Sequence, residues 1–148
     1  MKIPKRLALA GIVALPLLLS ACNRYQITLN ERTLHTPPVL FSDFELADPG
    51  LQTCVEQTIS DGRITQPGQL KVLNCKDGAI ANLAGIELFA QLVTLNLANN
   101  QLTSVEPLLA LPRLDAVNLE GNPGLDCRHR ATLANQVGGE ILAPAHCR

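Results

Sequence analysis

The chain has 148 residues and a net charge of −1 at pH 7; 47% of its residues are hydrophobic, only 3% are aromatic, and none is Trp. This length supports one small domain with a leader or tether, and the absence of a basic excess argues against a nucleic-acid partner. With so few aromatic residues, the core must be built from Leu, Ile, Val and Ala.

The N-terminus has the pattern of an export signal. Residues 2–6 include three basic side chains, residues 7–19 are apolar, and small residues precede Cys22. This order is typical of a secretory signal peptide. A membrane-spanning helix needs about 20 apolar residues, so the apolar stretch is too short, and Pro16 interrupts it. We predict a signal peptide over residues 1–21, whose removal leaves 9 basic and 13 acidic residues.

The sequence Leu-Ser-Ala-Cys at 19–22 resembles a bacterial lipobox. The resemblance implies that the Cys22 thiol receives a diacylglyceryl group and that Cys22 becomes the first residue of the mature lipoprotein. Asn23 follows it, in place of the aspartate that retains enteric lipoproteins in the inner membrane, so we expect the outer membrane if the source is Gram-negative. Residues 22–43, which include Pro37-Pro38, are predicted to be the lipid anchor and a tether.

Three sequence blocks repeat with a period of 22 residues. They align at Leu70, Leu92 and Leu114, and the neighbouring apolar columns also match. The middle block reads LVTLNLANNQLTSVEPLLALPR. Over roughly residues 64–127 this pattern resembles a leucine-rich repeat, and its 22-residue length resembles the internalin-type repeats of bacteria.

This resemblance implies an α/β fold, namely a short solenoid with a parallel sheet on its concave side. Each block is expected to form one strand, at 72–76, 94–98 and 116–120, with alternate residues pointing inward. Asn100 and Asn122 are expected to bond backbone groups of neighbouring turns, as asparagines at this position do in the family. We call this column of side-chain hydrogen bonds the asparagine ladder. Gly78 occupies the same column in the first block, so the ladder is expected to be incomplete at its N-terminal end.

Both ends of such a solenoid need a cap that covers the core. Asp48-Pro49 is typical of a helix N-cap followed by Pro at the first helical position. We therefore predict a helical cap within residues 44–63, ended by Asp61-Gly62. Residues 128–148 are predicted to be the C-terminal cap, with a short helix over 128–137. The repeat domain is thus expected to span residues 44–148.

The four cysteines that remain after Cys22 form an even set, as expected for disulfides in an exported protein. Cys75 lies in an inward column of the first coil, and Cys54 lies on the apolar face of the cap helix, so we predict that they pair. Cys127 lies in an inward column of the last coil and is predicted to pair with Cys147. Cys75 and Cys127 are two coils apart, about 10 Å, which is too far for a bridge.

A zinc site is the alternative for the C-terminal cap. Cys127, His129, His146 and Cys147 offer two thiolates and two imidazoles. Their spacing is not that of a standard zinc finger, and export favours oxidation of the thiols. We therefore expect no metal and no cofactor.

The exposed side of the predicted sheet is the candidate binding face. Its polar residues are Asn74, Lys76, Thr94, Asn96, Asn118 and Glu120. The repeated asparagine is either a hydrogen-bonding strip for a ligand or simply the usual polar residue at this repeat position, and we favour the second interpretation. Asn96 is expected to point into solvent, so Asn96→Ala should change stability by less than about 0.5 kcal/mol.

The predicted function is that of a non-catalytic, lipid-anchored module of the cell envelope that binds an envelope or extracellular protein, or another ligand, and no nucleic acid. The face lacks aromatic residues and Arg, the types richest in binding hot spots, so binding should be weak or should recruit the caps. One alternative is an envelope structural or assembly-accessory lipoprotein. An envelope enzyme is less favoured, because His35, His129 and His146 lie in the tether and the C-terminal cap, with no nucleophile placed beside them.

Overall fold

The computed structural model describes residues 27–29 and 32–147. The chain divides into two compact units, residues 1–37 and 38–148. In the first unit, β1 (Ile27–Leu29) and β2 (Arg32–His35) form an antiparallel hairpin. The segment predicted to be a tether therefore contains regular structure, consistent with the strand preference of its β-branched residues. The predicted signal peptide and Cys22 lie outside the described residues.

The second unit begins with an aromatic cluster. Leu40, Phe41 and Phe44 pack against the core. The rings of Phe41 and Phe44 stack with centroids 5.5 Å apart, and both meet Phe89 edge-on. The Phe41 N–H also donates a hydrogen bond of 2.9 Å to the Ile64 carbonyl. The sequence analysis placed the start of the repeat domain at residue 44. The packed unit starts earlier, because Phe41 and Phe44 pack against the core.

The helical cap is α1 (Pro49–Gly62), which begins and ends as the sequence predicts within one residue. Asp48 is the N-cap, with Pro49 at the first helical position. The helix ends at Arg63, whose φ of 49° places it in the left-handed region. The helix buries Leu51, Val55 and Ile59 against the repeat core, the spacing of one helical face.

A four-stranded parallel sheet follows, in chain order. Its strands are β3 (Val72–Asn74), β4 (Thr94–Asn96), β5 (Ala116–Asn118) and β6 (Ile141–Leu142). The first three start where the sequence predicts and end two residues earlier. Hydrogen bonds between neighbouring coils nevertheless continue past the strands, as in Asp77 N–H to the Ala98 carbonyl at 3.0 Å. β3, β4 and β5 are in register at the 22-residue period, as in Val72 opposite Thr94. β6 pairs with β5 outside this period, with Val117 opposite Ile141.

The return segments of the coils are short 3₁₀ helices. They span Pro67–Gln69, Ile86–Phe89 and Glu106–Ala110. The buried side chains of the strands and returns form one continuous core with α1. Leu95 and Leu97 of the central coil are 1% and 0% exposed, which confirms their expected burial.

The C-terminal cap consists of a 3₁₀ turn (Cys127–His129), α2 (Arg130–Gln136), β6 and a final 3₁₀ turn (Ala145–Cys147). The helix lies inside the predicted 128–137 segment, but β6 was not expected from the sequence. It pairs with β5 because the chain approaches closely at Gly139. A Cβ atom at Gly139 would lie 2.5 Å from the Asp115 carbonyl oxygen, so only glycine fits there.

Candidate functional site

The candidate binding face lies on one side of the sheet, as predicted. We call it the sheet face; its members are Val72, Asn74, Lys76, Thr94, Asn96, Ala116, Asn118, Glu120 and Leu142. The middle residue of β3, β4 and β5 is buried, and its two neighbours face outward. The parallel register sets Asn74 beside Asn96, Asn96 beside Asn118, and Asn118 beside Leu142. The predicted asparagine column is therefore continuous in space, and β6 extends it by one residue.

Two of these asparagines have a structural task. The Asn96 side-chain oxygen accepts a hydrogen bond from the Ala98 N–H at 3.1 Å, and the Asn118 oxygen accepts one from the Glu120 N–H at 3.0 Å. Both residues are half-buried. The expectation that Asn96 only points into solvent is therefore corrected, because its amide oxygen stabilises the turn that ends β4. Its amide N–H₂ group remains available for a ligand.

The N-terminal end of the sheet face is more open. Asn74, Lys76 and Thr94 are exposed, and Val72 is 59% exposed. A groove of about 470 Å³ runs beside this end, between α1 and β3. The lining of this groove includes Thr58, Asp61, Gln69, Lys71, Val72 and Asn74.

A second polar column borders the sheet face and was missed from the sequence. Asp77, Asn99 and Gly121 are spaced by 22 residues and have φ values of 58°, 58° and 70°. The Asn99 amide donates a hydrogen bond of 2.9 Å to the Asp77 carboxylate. Asp77 also lies 3.8 Å from the Lys76 ammonium, an exposed pair that contributes little to stability. The sequence did contain an indication of this column. Asp, Asn and Gly, which tolerate a positive φ, recur there at the 22-residue period.

The predicted asparagine ladder connects neighbouring coils. The Asn100 side-chain oxygen accepts from the Ile80 N–H at 3.0 Å, and its amide nitrogen donates to the Cys75 carbonyl at 2.9 Å. Asn122 makes the equivalent bonds one repeat later, to Leu102 and Leu97. These two buried side chains satisfy backbone groups that the sheet does not reach.

Asp48 bonds backbone groups of the first coil at the N-terminal end of the asparagine ladder, where Gly78 has no side chain to do so. Its carboxylate accepts from the N–H groups of Gly50 and Leu51 in α1, and from those of Ala81 and Asn82 in the first coil. Burial acts to raise the pKa of the Asp48 carboxyl, but the four backbone hydrogen bonds together outweigh it, so the pKa lies below its ordinary value. The helix start lies close to Gly78, whose carbonyl oxygen would be 2.4 Å from a Cβ at Gly50.

One disulfide lies at each end of the repeat unit. Cys54 is bonded to Cys75 with a Cα–Cα distance of 5.7 Å, and Cys127 to Cys147 with one of 5.4 Å. These are the pairs that the repeat columns select. Cys75 is buried in the first coil and Cys54 lies on α1, so the first bridge joins the N-terminal cap to the core. Cys127 and the buried Cys147 lie in the first and last 3₁₀ turns of the C-terminal cap, so the second bridge connects the two ends of that cap.

One cluster of possible metal ligands occurs among residues 27–29 and 32–147. Cys127, His146 and Cys147 each place a ligand atom within 4.8 Å of the others, and His129 is not part of this group. The His146 Nε2 atom lies 3.0 Å from the Leu125 carbonyl oxygen. Both sulfurs are engaged in the disulfide, so the oxidised cap offers no thiolate to a metal.

Comparison with known proteins identifies the repeats. Residues 90–128 match the family described as leucine rich repeats (2 copies). This part of the chain is similar to leucine-rich repeats. The match starts after the first block, in which Cys75 and Gly78 replace the usual leucine and asparagine. Leucine-rich repeats typically serve as binding modules for proteins, through the surface that their stacked strands present.

Over an alignment of 57 residues, the chain is 42% identical to geranylgeranyl transferase type-2 subunit alpha from Bos taurus. The alignment covers 36% of this chain and 10% of that protein. The chain thus spans about a tenth of the curated relative that it matches.

Proposed function

We propose that this protein is a lipid-anchored module of the bacterial cell envelope that binds a protein partner through its sheet face. The observation that carries the binding role is the open N-terminal end of that face, where Val72 is 59% exposed beside a groove of about 470 Å³. An exposed valine flanked by Asn74 and Lys76 provides an apolar contact with polar groups around it. In this proposal Val72 is the apolar centre of the contact, and the polar groups around it form the rim.

The anchoring role rests on the first 22 residues. The basic start, the apolar stretch and the Leu-Ser-Ala-Cys ending at Cys22 resemble a lipoprotein signal. Within residues 27–29 and 32–147, none of the helices has the length and hydrophobicity of a membrane span. In this proposal the lipid on Cys22 holds the protein to the membrane, at the outer membrane of a Gram-negative source. We also propose a bacterial origin, because the 22-residue repeat length resembles that of internalin-type repeats.

The proposed activity is binding without catalysis. The likeness to a transferase subunit covers a tenth of that subunit, so it supports no transfer reaction for this chain. The alternative of an envelope structural or assembly-accessory lipoprotein predicts a different outcome: envelope defects on deletion, without a stoichiometric partner at the sheet face.

Site-specific photo-crosslinking tests the proposal. A photoreactive amino acid replaces Thr94 on the sheet face, and the matched control replaces Thr132 on the exposed side of α2. The expected result is one discrete crosslinked envelope protein from position 94 and none from position 132, with loss of the product when Val72→Glu is added. Equal crosslinking from both positions, or a product unaffected by Val72→Glu, would contradict binding at this face.

A further inference from the structure

We propose that the C-terminal cap binds one zinc ion when its disulfide is reduced, with Cys127, His146 and Cys147 as the protein ligands. This site is separate from the sheet face, and the proposal does not depend on the partner that the sheet face binds. In the oxidised protein the cap is held by a covalent bond, and in the reduced protein it would be held by the metal.

The distances of the cluster are close to those of a zinc site. The three ligand atoms lie within 4.8 Å of one another. Tetrahedral zinc, with Zn–S bonds of about 2.3 Å and Zn–N bonds of about 2.0 Å, sets its ligand atoms roughly 3.5–3.8 Å apart. After the S–S bond of about 2 Å breaks, the sulfurs must move apart by about 1.7 Å, and the imidazole must rotate so that its Nδ1 atom comes within about 3.5 Å of them. Side-chain rotation without backbone rearrangement can supply such a change.

The hydrogen bond of His146 prepares its ring for a metal. Nε2 lies 3.0 Å from the Leu125 carbonyl oxygen, which can only accept, so Nε2 carries the proton. In the neutral ring Nδ1 then has the free lone pair, so the proposal requires Nδ1 as the ligand atom while the hydrogen bond from Nε2 to Leu125 is kept. Histidines that bind metals usually donate their other ring N–H to a carboxylate or a backbone carbonyl, which fixes the tautomer. The buried Leu125 provides such a carbonyl.

The burial of the cluster suits a site with three protein ligands. Cys147 is buried, Cys127 is half-buried and His146 is exposed, so the ion reaches the cluster from the solvent side. A water molecule takes the fourth tetrahedral position on that side, as in zinc sites that keep one open position. The other disulfide is different, because Cys54 and Cys75 belong to no such group with His, Asp or Glu among the described residues.

The chemistry needs an external dithiol as the reductant. Two electrons from the dithiol break the Cys127–Cys147 bond, each sulfur gains a proton, and the dithiol becomes a disulfide. Zn²⁺ then displaces the two thiol protons, forms two Zn–S bonds and accepts the His146 lone pair. Reoxidation by a disulfide acceptor removes two electrons from the thiolates, restores the S–S bond and releases the zinc.

Cobalt titration tests the site, because tetrahedral Co²⁺ with thiolate ligands has characteristic absorption bands. The full chain carries Cys22→Ser, so that only four thiols are present, and a phosphine that does not bind the metal serves as reductant. We expect one Co²⁺ per reduced chain, displaced by Zn²⁺, and none per oxidised chain. His146→Gln should weaken Co²⁺ binding at least about tenfold, whereas His129→Gln should leave it unchanged.

Two double variants locate the metal. Cys54→Ala with Cys75→Ala should retain the thiolate–Co²⁺ bands, and Cys127→Ala with Cys147→Ala should lose them. If the reduced chain unfolds, added Zn²⁺ should restore its native circular dichroism spectrum. The proposal is overturned if the reduced chain shows no thiolate–Co²⁺ bands, if His146→Gln binds as tightly as the unchanged protein, or if Zn²⁺ fails to restore an unfolded reduced chain.

Discussion

The carboxylate of Asp48 accepts a hydrogen bond of 2.8 Å from the backbone N–H of Ala81, 33 residues later in the chain. The same carboxylate caps α1 through the N–H groups of Gly50 and Leu51. One side chain therefore connects the start of the cap helix to the first coil. It does so at the end of the solenoid where the asparagine ladder stops at Gly78.

Replacing Asp48 should destabilise the whole repeat unit. Asp48→Ala removes a helix N-cap and leaves the Ala81 and Asn82 N–H groups without their acceptor. We expect the free energy of unfolding to fall by about 1–3 kcal/mol, measured by denaturant titration. Asp43→Ala is the matched control, since Asp43 is exposed, and should change it by less than about 0.5 kcal/mol.

The stabilisation by Asp48 should depend on pH in a defined direction. Because the folded-state pKa of Asp48 is lowered, its contribution is complete above the unfolded pKa of about 3.9 and is lost as the pH falls through the folded-state value. The difference in unfolding free energy between the unchanged protein and Asp48→Asn should therefore be constant above about pH 5 and shrink below about pH 4. A difference that grows on acidification would contradict the assigned hydrogen bonds.

Two substitutions in the central coil should distinguish the contribution of the core to stability from that of the turn after β4. Leu97 is 0% exposed, so Leu97→Ala should lower the free energy of unfolding by about 2–5 kcal/mol through lost burial and a cavity. Asn96→Ala leaves the Ala98 N–H without its acceptor and should cost about 0.5–1.5 kcal/mol. Denaturant titration measures both values.

Asn74 is the control for this asparagine column. It has the same position in β3, but it is exposed, and its side chain has no bond equivalent to that between Asn96 and Ala98. Asn74→Ala should change the free energy of unfolding by less than about 0.5 kcal/mol. If Asn96→Ala and Asn74→Ala cost the same, the Asn96 hydrogen bond does not stabilise the turn.

The 22-residue period allowed most of the fold to be predicted, because one repeated unit determines both the strand positions and their register. Leu73, Leu95 and Val117 share a column in the sequence and are paired across the sheet. The same reasoning located Asn100 and Asn122 as the ladder residues. In a periodic sequence, the repeat period alone indicates which residues lie side by side in neighbouring coils. The sequence of a non-repetitive domain gives no such indication.

Two features that the sequence analysis did not predict lie outside the repeats. β6 has no repeat partner in the sequence, and it joins the sheet because Gly139 lets the chain approach Asp115 closely. The packing of Phe41 against Phe89 was also missed, since contacts outside the repeat leave no pattern. The sequence analysis also missed the hydrogen bond of Asn96. The alternation of inward and outward residues along a strand predicts the face on which a side chain lies, but not that its oxygen accepts from the Ala98 N–H.

Lipidation of Cys22 is open to a direct test. Cys22→Ser should abolish labelling by radioactive palmitate and release the protein from the membrane fraction, because the diacylglyceryl group is attached through the thiol. Asn23→Asp is the companion variant. In a Gram-negative host it should retain the labelling but shift the protein from the outer to the inner membrane. Unchanged palmitate labelling of Cys22→Ser would rule out this anchor.

The disulfide pattern follows from the coil geometry. Mass mapping of the unreduced protein should recover peptides that link Cys54 to Cys75 and Cys127 to Cys147. The two loops have nearly equal sequence separations, 21 and 20 residues, so replacing either pair by alanines should lower the free energy of unfolding by a similar amount, about 3 kcal/mol. A peptide that links Cys75 to Cys127 would contradict the parallel stacking, because those residues lie in coils too far apart for a bridge.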